Sequence, residues 1–523
     1  MLAACLGVWA LKKLGVPDGD RPEMQGAILL ALVLALAPVR AAGVAPPLRV
    51  LHRVVVGFFG LYAIASYPAV SDAYLAESLY ARAIHDEGRW LVAAAALAAW
   101  WRPGFGLIPV VYLGWKKTLM AEQFGFTMNA TDYIPVAELG LFVCLAIGAV
   151  AAAEAAGRRL SLASPGRTDG RADGRWTLGE GAFVAAFALH AANYFYSAVA
   201  KATLPGAGFW TWALENDTHD IMLATASIGL GPLLGVDWLA YLAHEAMDRF
   251  QHVTNVVTYL LQYAALVALV RIRLAMLTAL AWDAMHLAIF VTTSILFWKW
   301  MAVNIGFALA FGLLLDRRAP PWPLFVMGTG VLLLAPLLFW VATLGWFDSR
   351  ALNRPSVVAV TEDGREVRVP SNYFLEGSAQ MSKGHVGKPY PGHFADIGVF
   401  GKAEAGLPGR EAAEDCDLPV AAESGLSEAF AREPKLERYF REHHRFMLAN
   451  VGEDGQYPYN WYPHHNWSNP ALFTEFGSLD LREIVAYRYV IESLCFRYDG
   501  RGGIEHDVRL RGVHTIPVED VRP

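Results

Sequence analysis

Residues 180–201, EGAFVAAFALHAANYFYSAVAK, decide how the rest of the chain is read. The segment is long and apolar enough to enter a bilayer, which takes about twenty residues. Yet His190, Tyr194, Ser197 and Lys201 recur at spacings of four, three and four, so they share one helical face, with Asn193 beside them. Lipid cannot satisfy such a stripe, which must face protein or a water-filled cavity. Ionisable groups in that position are functional candidates by default. A plainer reading stands beside this one: Lys201 ends the helix and snorkels to the headgroups.

Composition puts the whole chain in the same class. Its 523 residues are 55% hydrophobic and 18% charged. Soluble domains average about 45–50% and about 25%. The formal net charge of −6 is small for this length and argues against a nucleic-acid partner. Four cysteines, Cys5, Cys144, Cys416 and Cys495, exclude a disulfide-rich scaffold and show no metal-type spacing. A bridge between Cys416 and Cys495 stays open, because both fall in the later, charged part of the chain.

Apolar segments recur before the stripe, at about 24–39, 53–70, 90–101, 104–114 and 133–153. Several are short, and Pro103, Gly104, Gly106 and Pro109 interrupt them, as broken helices around a cavity would require. The opening run carries Lys12 and Lys13 after its apolar residues, the reverse of a signal peptide. The loop 157–176 holds five arginines and is therefore expected in the cytoplasm, as are Arg271 with Arg273 and Arg317 with Arg318. From these marks 180–201 runs outward, 254–270 returns, 274–298 goes out, 300–315 comes in and 322–346 goes out. Residues 221–243 then form a hairpin or lie flat in the interface.

The expected fold is an α-helical multi-span membrane domain, 1–346, followed by an exported mixed α/β domain, 347–523. In the second part, 356–361 and 366–370 flank Asp363-Gly364 as a β-hairpin. Residues 422–450 read as helical with a break at Pro434. The run 484–497 is open between helix and strand, its β-branched and aromatic content favouring a strand later in the run. Segment 385–418, rich in Gly and Pro, is expected to be irregular.

A second polar cluster lies within 281–300, where Asp283 and His286 share a face that Thr293 continues. A structural Asp–His pair would explain it, but two ionisable groups mid-helix also need partners or a cavity. A third cluster, His244, Asp248 and His252, has helical spacing that metal ligands could use. It lacks the zinc-protease pattern, and paired histidine boxes are absent, so the polar face of an interfacial helix is the simpler reading and no metal is expected. His443-His444 and His464-His465, set among aromatics, are left unassigned.

Tyr194-Phe195-x5-Lys201, a Gly turn and Trp210 resemble the lysine signature of the vitamin K-dependent γ-glutamyl carboxylase family, whose membrane domain is of the HTTM type. Arg271, ahead of a helix with Trp282-Asp283-Ala-Met-His286, resembles the next marker of that family. Val358-Ala-Val-Thr-Glu-Asp-Gly-Arg365 and Ile491-Glu-Ser-Leu-Cys-Phe-Arg497 resemble its external strands, so the likeness touches blocks from about 190 to 515 in order.

The resemblance implies an enzyme using a reduced quinone of the vitamin K type with O2 and CO2. The lysine, as free amine, takes a proton from the quinol. Oxygenation then yields a strong base that removes a carbon-bound proton from a glutamate of a peptide or protein, and the carbanion captures CO2. Lys201, Asp283 and His286 take the catalytic positions. His190, Tyr194, Trp210, Asn129 and Thr131 take the cofactor-binding ones. The family's aromatic-His pair reads Trp282-Asp283 here, with histidine only at His286. Its Asn-His pair falls near Asn129-Ala130-Thr131, without the histidine. These departures favour quinol oxidation over carboxylation. Two rival readings are a non-catalytic membrane protein that handles peptide or lipid, and a metal-dependent membrane oxygenase.

Overall fold

Thr177 starts the helix around which the others pack. Its hydroxyl accepts from Glu180 N at 3.2 Å, and Glu180 Oε2 accepts from Thr177 N at 2.8 Å, a capping box that meets two of the free N–H groups of a helix start. The helix runs Leu178–Ala202, about 37 Å long at 1.5 Å per residue. Its run of alanines lets neighbours approach closely. The protein is described here from a computed structural model. It describes residues 1–18, 21–66, 69–77, 79–125, 130–160, 176–233, 235–316, 319–384, 390–457, 465–501 and 503–519.

Among the described residues four helices are long and apolar enough to cross a membrane: Pro46–Ala65, Tyr133–Gly157, Leu178–Ala202 and Ile272–Thr293. They are not equivalent. The most apolar window of Leu178–Ala202 is 89% buried, whereas that of Ile272–Thr293 is 28% buried. The first sits at the centre, against Pro46–Ala65, Ala130–Leu160, Trp322–Leu338 and Asp237–Tyr263. The second forms an edge, joined to the rest through Trp298–Gly312. At the start of the chain, Leu2–Lys13 packs on Ala130–Leu160, and Lys12 pairs with Glu138 at 2.6 Å.

Helix boundaries differ from expectation in three places. Residues 221–243, expected as a hairpin or flat in the interface, hold the end of a short helix, Thr218–Ile228, and the start of Asp237–Tyr263, which runs without a break into the expected return span 254–270. The expected span 274–298 stops at Thr293, where Ser294 takes a left-handed conformation, φ 57°, and the next helix begins at Trp298. The expected span 322–346 is helical only to Leu338. Pro336 removes a donor and a hydrogen bond from its last turn. Residues 340–346 are then neither helix nor strand, and side chains of the central helix meet their backbone at Ala342 and Leu344.

After Trp346 a four-stranded antiparallel sheet appears, in the order Glu366–Val369, Ala351–Thr361, Ile484–Tyr498, Ile504–Pro517. The hairpin pairs Val357 with Val369 and Val360 with Glu366, and Gly364 supplies the positive φ its turn needs, 81°. The open run at 484–497 is strand throughout. Helices Leu426–Arg432 and Pro434–Asn450 break at Pro434, as expected. Segment 385–418 is less irregular than expected: Lys402–Ala403 pairs with Phe347–Asp348, and Leu407–Glu414 is helical. Residues 385–389 lie outside the described residues. Cys416 and Cys495 form a disulfide, with Cα atoms 6.1 Å apart. The sheet is not a detached unit. Val70, Tyr74, Met120 and Phe124 of the helical part share one core with Tyr373, Phe374, Tyr439 and Phe440.

Candidate functional site

The two polar stripes meet, and a residue from a third helix joins them. Asn304, on Trp298–Gly312, accepts or donates to each side. Its Oδ1 lies 2.8 Å from His190 Nε2, and its Nδ2 donates to Tyr194 OH and to Asp283 Oδ1, both at 2.9 Å. Tyr194 lies flat on Trp282, ring centroids 3.8 Å apart and planes 6° from parallel. His286, one turn past Trp282, stands 5.7 Å from the Tyr194 ring and stacks on Phe297 at 5.0 Å. Trp300 closes the group edge-on to Tyr194 at 5.6 Å.

Three polar atoms of this group are buried without a hydrogen-bond partner: Asp283 Oδ2, His286 Nδ1 and Trp300 Nε1. Each such atom costs on the order of 1–3 kcal/mol. Together they present a carboxylate acceptor and two ring nitrogens around a stack of flat rings. Asp283 sits on the edge helix, whose Leu277, Leu280, Leu287 and Val291 are exposed, so the group lies near the outer surface of the bundle.

Lys201 belongs to a different arrangement. Ala342 N donates to Asn193 Oδ1 at 2.9 Å, and Leu344 N donates to Ser197 Oγ at 3.3 Å. Ser197 Oγ in turn donates to Ala342 O at 3.2 Å. Lys201 Nζ donates to Leu344 O at 2.6 Å and to Ser197 O at 3.4 Å, 4.9 Å from the centre of the Trp212 ring. Among the described residues no carboxylate lies within ion-pair distance of this buried amine, and it touches neither Asp283 nor His286. Beyond it, outside the spans, Asp348 accepts from Asn216 Nδ2 at 2.8 Å and Trp346 Nε1 at 3.0 Å. Burial outweighs these bonds and pushes its carboxyl up to about 6.

The remaining candidates scatter. Trp210 is 46% exposed and packs on Phe209 and Tyr259; the ring that Lys201 faces is Trp212, two residues later. Asn129 and the Thr131 side chain lie outside the described residues. His244 pairs with His219, which sequence reading missed, at 3.1 Å, and both ring-pack on Tyr498. Asp248 is 3.8 Å from His219 Nδ1, while His252 is exposed. Among the described residues no three His, Cys, Asp or Glu are placed to hold a metal. His443 and His444 are core residues, bound to Ala69 O and Tyr373 O and to Tyr487 OH respectively. His465 Nδ1 is 3.1 Å from Leu296 O; His464 lies outside the described residues.

Asn304 is the residue joining the two stripes that the sequence reading missed. The available signal was an amide in the apolar part of WKWMAVNIGFALAFG, where only Lys299 and the tryptophan N–H groups are polar and none of them meets both ends of the amide, so other helices must supply partners. Compared with known proteins, the chain matches no family model, no curated protein and no solved structure.

Proposed function

We propose that this protein is an integral membrane enzyme of the quinol-dependent γ-carboxylase type, oxidising a reduced quinone and using the base so generated on a peptide or protein. The observation that carries this reading is the ring group with its unpartnered Asp283 Oδ2, His286 Nδ1 and Trp300 Nε1. A flat ring bearing two oxygens fits that set: aromatic faces on which to lie, a carboxylate to accept from one hydroxyl, and ring nitrogens for the other oxygen. When bound, a reduced quinone supplies the electrons for reducing O2 and the basicity that its oxidation releases.

The chain's own residues supply position and proton transfer. Asn304 fixes Tyr194 and the Asp283 carboxylate together, leaving Oδ2 directed at the ligand's hydroxyl. Lys201 keeps the base role that the resemblance implies. A neutral amine has two N–H groups and one lone pair, and two carbonyls accept from Lys201, with no carboxylate within ion-pair distance among the described residues. Because Lys201 is about 10 Å along the helix from Tyr194, the two groups serve opposite ends of an elongated site.

The orientation 157–176 inside and 347–523 outside has support beyond the arginine loop. Arg40, Arg49, Arg53 and Arg102 line one hollow near the start of Pro46–Ala65, and a Cβ on Gly179, at the start of the central helix, would lie 2.6 Å from Ala45 Cβ. Basic residues therefore gather at one end of the bundle, the cytoplasmic end by the positive-inside rule. A disulfide at the opposite end agrees. The function is tested by oxygen uptake of purified protein given a panel of reduced quinones. Turnover that Asp283→Asn and Lys201→Arg each abolish is expected; no turnover with any quinone would favour the non-catalytic reading.

A further inference from the structure

A second buried polar centre lies where the C-terminal ends of Pro46–Ala65 and Leu107–Phe124 meet the turn Ser371–Gly377. Lys116 is 0%, Lys117 4% and Glu376 7% exposed. Glu376 takes hydroxyl hydrogen bonds on one oxygen and an ion pair on the other. Ser66 Oγ donates to its Oε1 at 2.7 Å, Tyr62 OH reaches the same oxygen at 3.5 Å, and Lys116 Nζ is 3.1 Å from Oε2. Lys116 also donates to Ser66 O. Burial by itself would raise the Glu376 carboxyl, but the two lysines and Ser66 hold it down at about 2.

Lys117 is not matched in this way. Its ionic contact is Glu376 Oε1 at 3.9 Å, and no hydrogen-bond acceptor reaches its Nζ among the described residues. An ammonium carries three donors, and a buried charge left without partners is costly. A second, independent gap lies beside it. His85 is 1% exposed, and its nearest polar neighbour, Gln123, is close enough to act on the ring but makes no well-formed hydrogen bond with either ring nitrogen. Burial first, then Lys116, lowers the imidazole to about 4 and keeps it neutral, able to donate one N–H. Lys116, Lys117 and the buried Lys299 all lie over the Tyr62 ring, at 5.4–5.9 Å, and Glu376 pairs with the first two, so the junction carries positive charge in excess and calls for an anion. The centre adjoins the ring group: Tyr62 packs on Trp298 at 5.8 Å, and Phe297, the preceding residue, stacks on His286.

We propose that Lys117, with His85 beside it, binds the single carboxylate of an acidic side chain or small acid entering at this junction. The assignment stands on the geometry of the junction and holds whether or not the ring group takes a quinone. The proposed activity would make this the seat of the substrate carboxylate.

Equilibrium dialysis of the full-length protein in nanodiscs, with no quinone added, tests it. The probes are N-acetyl-L-glutamic acid α-amide, its neutral glutamine counterpart, and inorganic phosphate. The acid is expected to bind at least about tenfold tighter than either other probe, since each tenfold is about 1.4 kcal/mol and a charge-assisted bond supplies that much. Lys117→Met should remove this preference, and His85→Phe should weaken acid binding while Lys117→Arg retains it. Equal binding of acid and amide, tighter binding of phosphate, or a preference that persists in both Lys117→Met and His85→Phe would overturn the assignment. The wild-type comparison and His85→Phe decide the matter should the Met variant fail to fold.

Discussion

His190 and Tyr194, and then Asn193, Ser197 and Lys201, occupy consecutive turns of one helix, yet they face unlike partners. The first pair meets side chains, Asn304, Trp282 and through them Asp283, in a group that ends with three polar atoms unpaired. The second set meets main chain, where Ala342 and Leu344 take up Asn193 Oδ1, Ser197 Oγ and the Lys201 amine. Non-helical backbone away from water survives only where protein satisfies it; these side chains do so at Ala342 and Leu344, and Glu138 and Trp212 do so at Trp340 N and Trp346 O. Polarity in a long apolar helix therefore has two uses. What separates them is whether the bonds close within the chain.

Substitutions at each half should break in different currencies. The largest effect is expected from Asp283→Asn, which keeps the bond from Asn304 but not the charge. Quinol-dependent oxygen uptake should fall by about 10²–10⁴, the usual weight of a proton-transfer group, with little change in thermal midpoint. Lys201→Ala and Lys201→Arg should both lose most of that uptake, since a guanidinium does not give up its proton. An arginine variant of wild-type rate would place Lys201 wholly with the structural set.

The Glu376 centre gives a stability effect that depends on pH. Its carboxyl stands at about 2 when folded, against about 4.3 unfolded, so the folded state gains above the unfolded value and loses that gain as pH falls toward 2. Chemical unfolding should show Glu376→Gln costing about 3 kcal/mol at pH 7, with the gap to wild type closing between about pH 4.3 and about pH 2. A gap of constant size would mean that the charge is not what matters there. Ser197→Ala should have the smallest effect, about 1–2 kcal/mol of stability for the bonds to Ala342 and Leu344, with turnover per folded molecule kept. Loss of turnover in folded Ser197→Ala protein would blur the division between the two halves.

The stripe was legible because helical period is written into spacing, and the Asp283–His286 pair was legible for the same reason. The Asp-Gly turn announced the hairpin, and Pro434 announced the helix break. What stayed hidden depends on contacts between distant parts. Asn304 is 114 residues from His190, and Glu376 lies far along the chain from Lys116, so no local pattern couples them. The non-helical run 340–346 has the composition of a span; only Pro336 hinted that the helix would stop short. Trp210 and Trp212 are equally plausible by sequence, and the turn geometry after Ala202 decided that the second faces Lys201. The adjacent Lys116 and Lys117 were visible within an apolar helix and carried more information than they were given.

The central claim is that the three unpaired atoms of the ring group await the oxygens of a reduced quinone. The most direct test is a cryo-electron microscopy structure of the full-length protein in nanodiscs containing a reduced quinone that supports oxygen uptake. The expected result is headgroup density against the Tyr194–Trp282 stack, one oxygen about 3 Å from Asp283 Oδ2 and the other about 3 Å from His286 Nδ1 or Trp300 Nε1. A headgroup bound elsewhere, with those three atoms still unpaired, would contradict it.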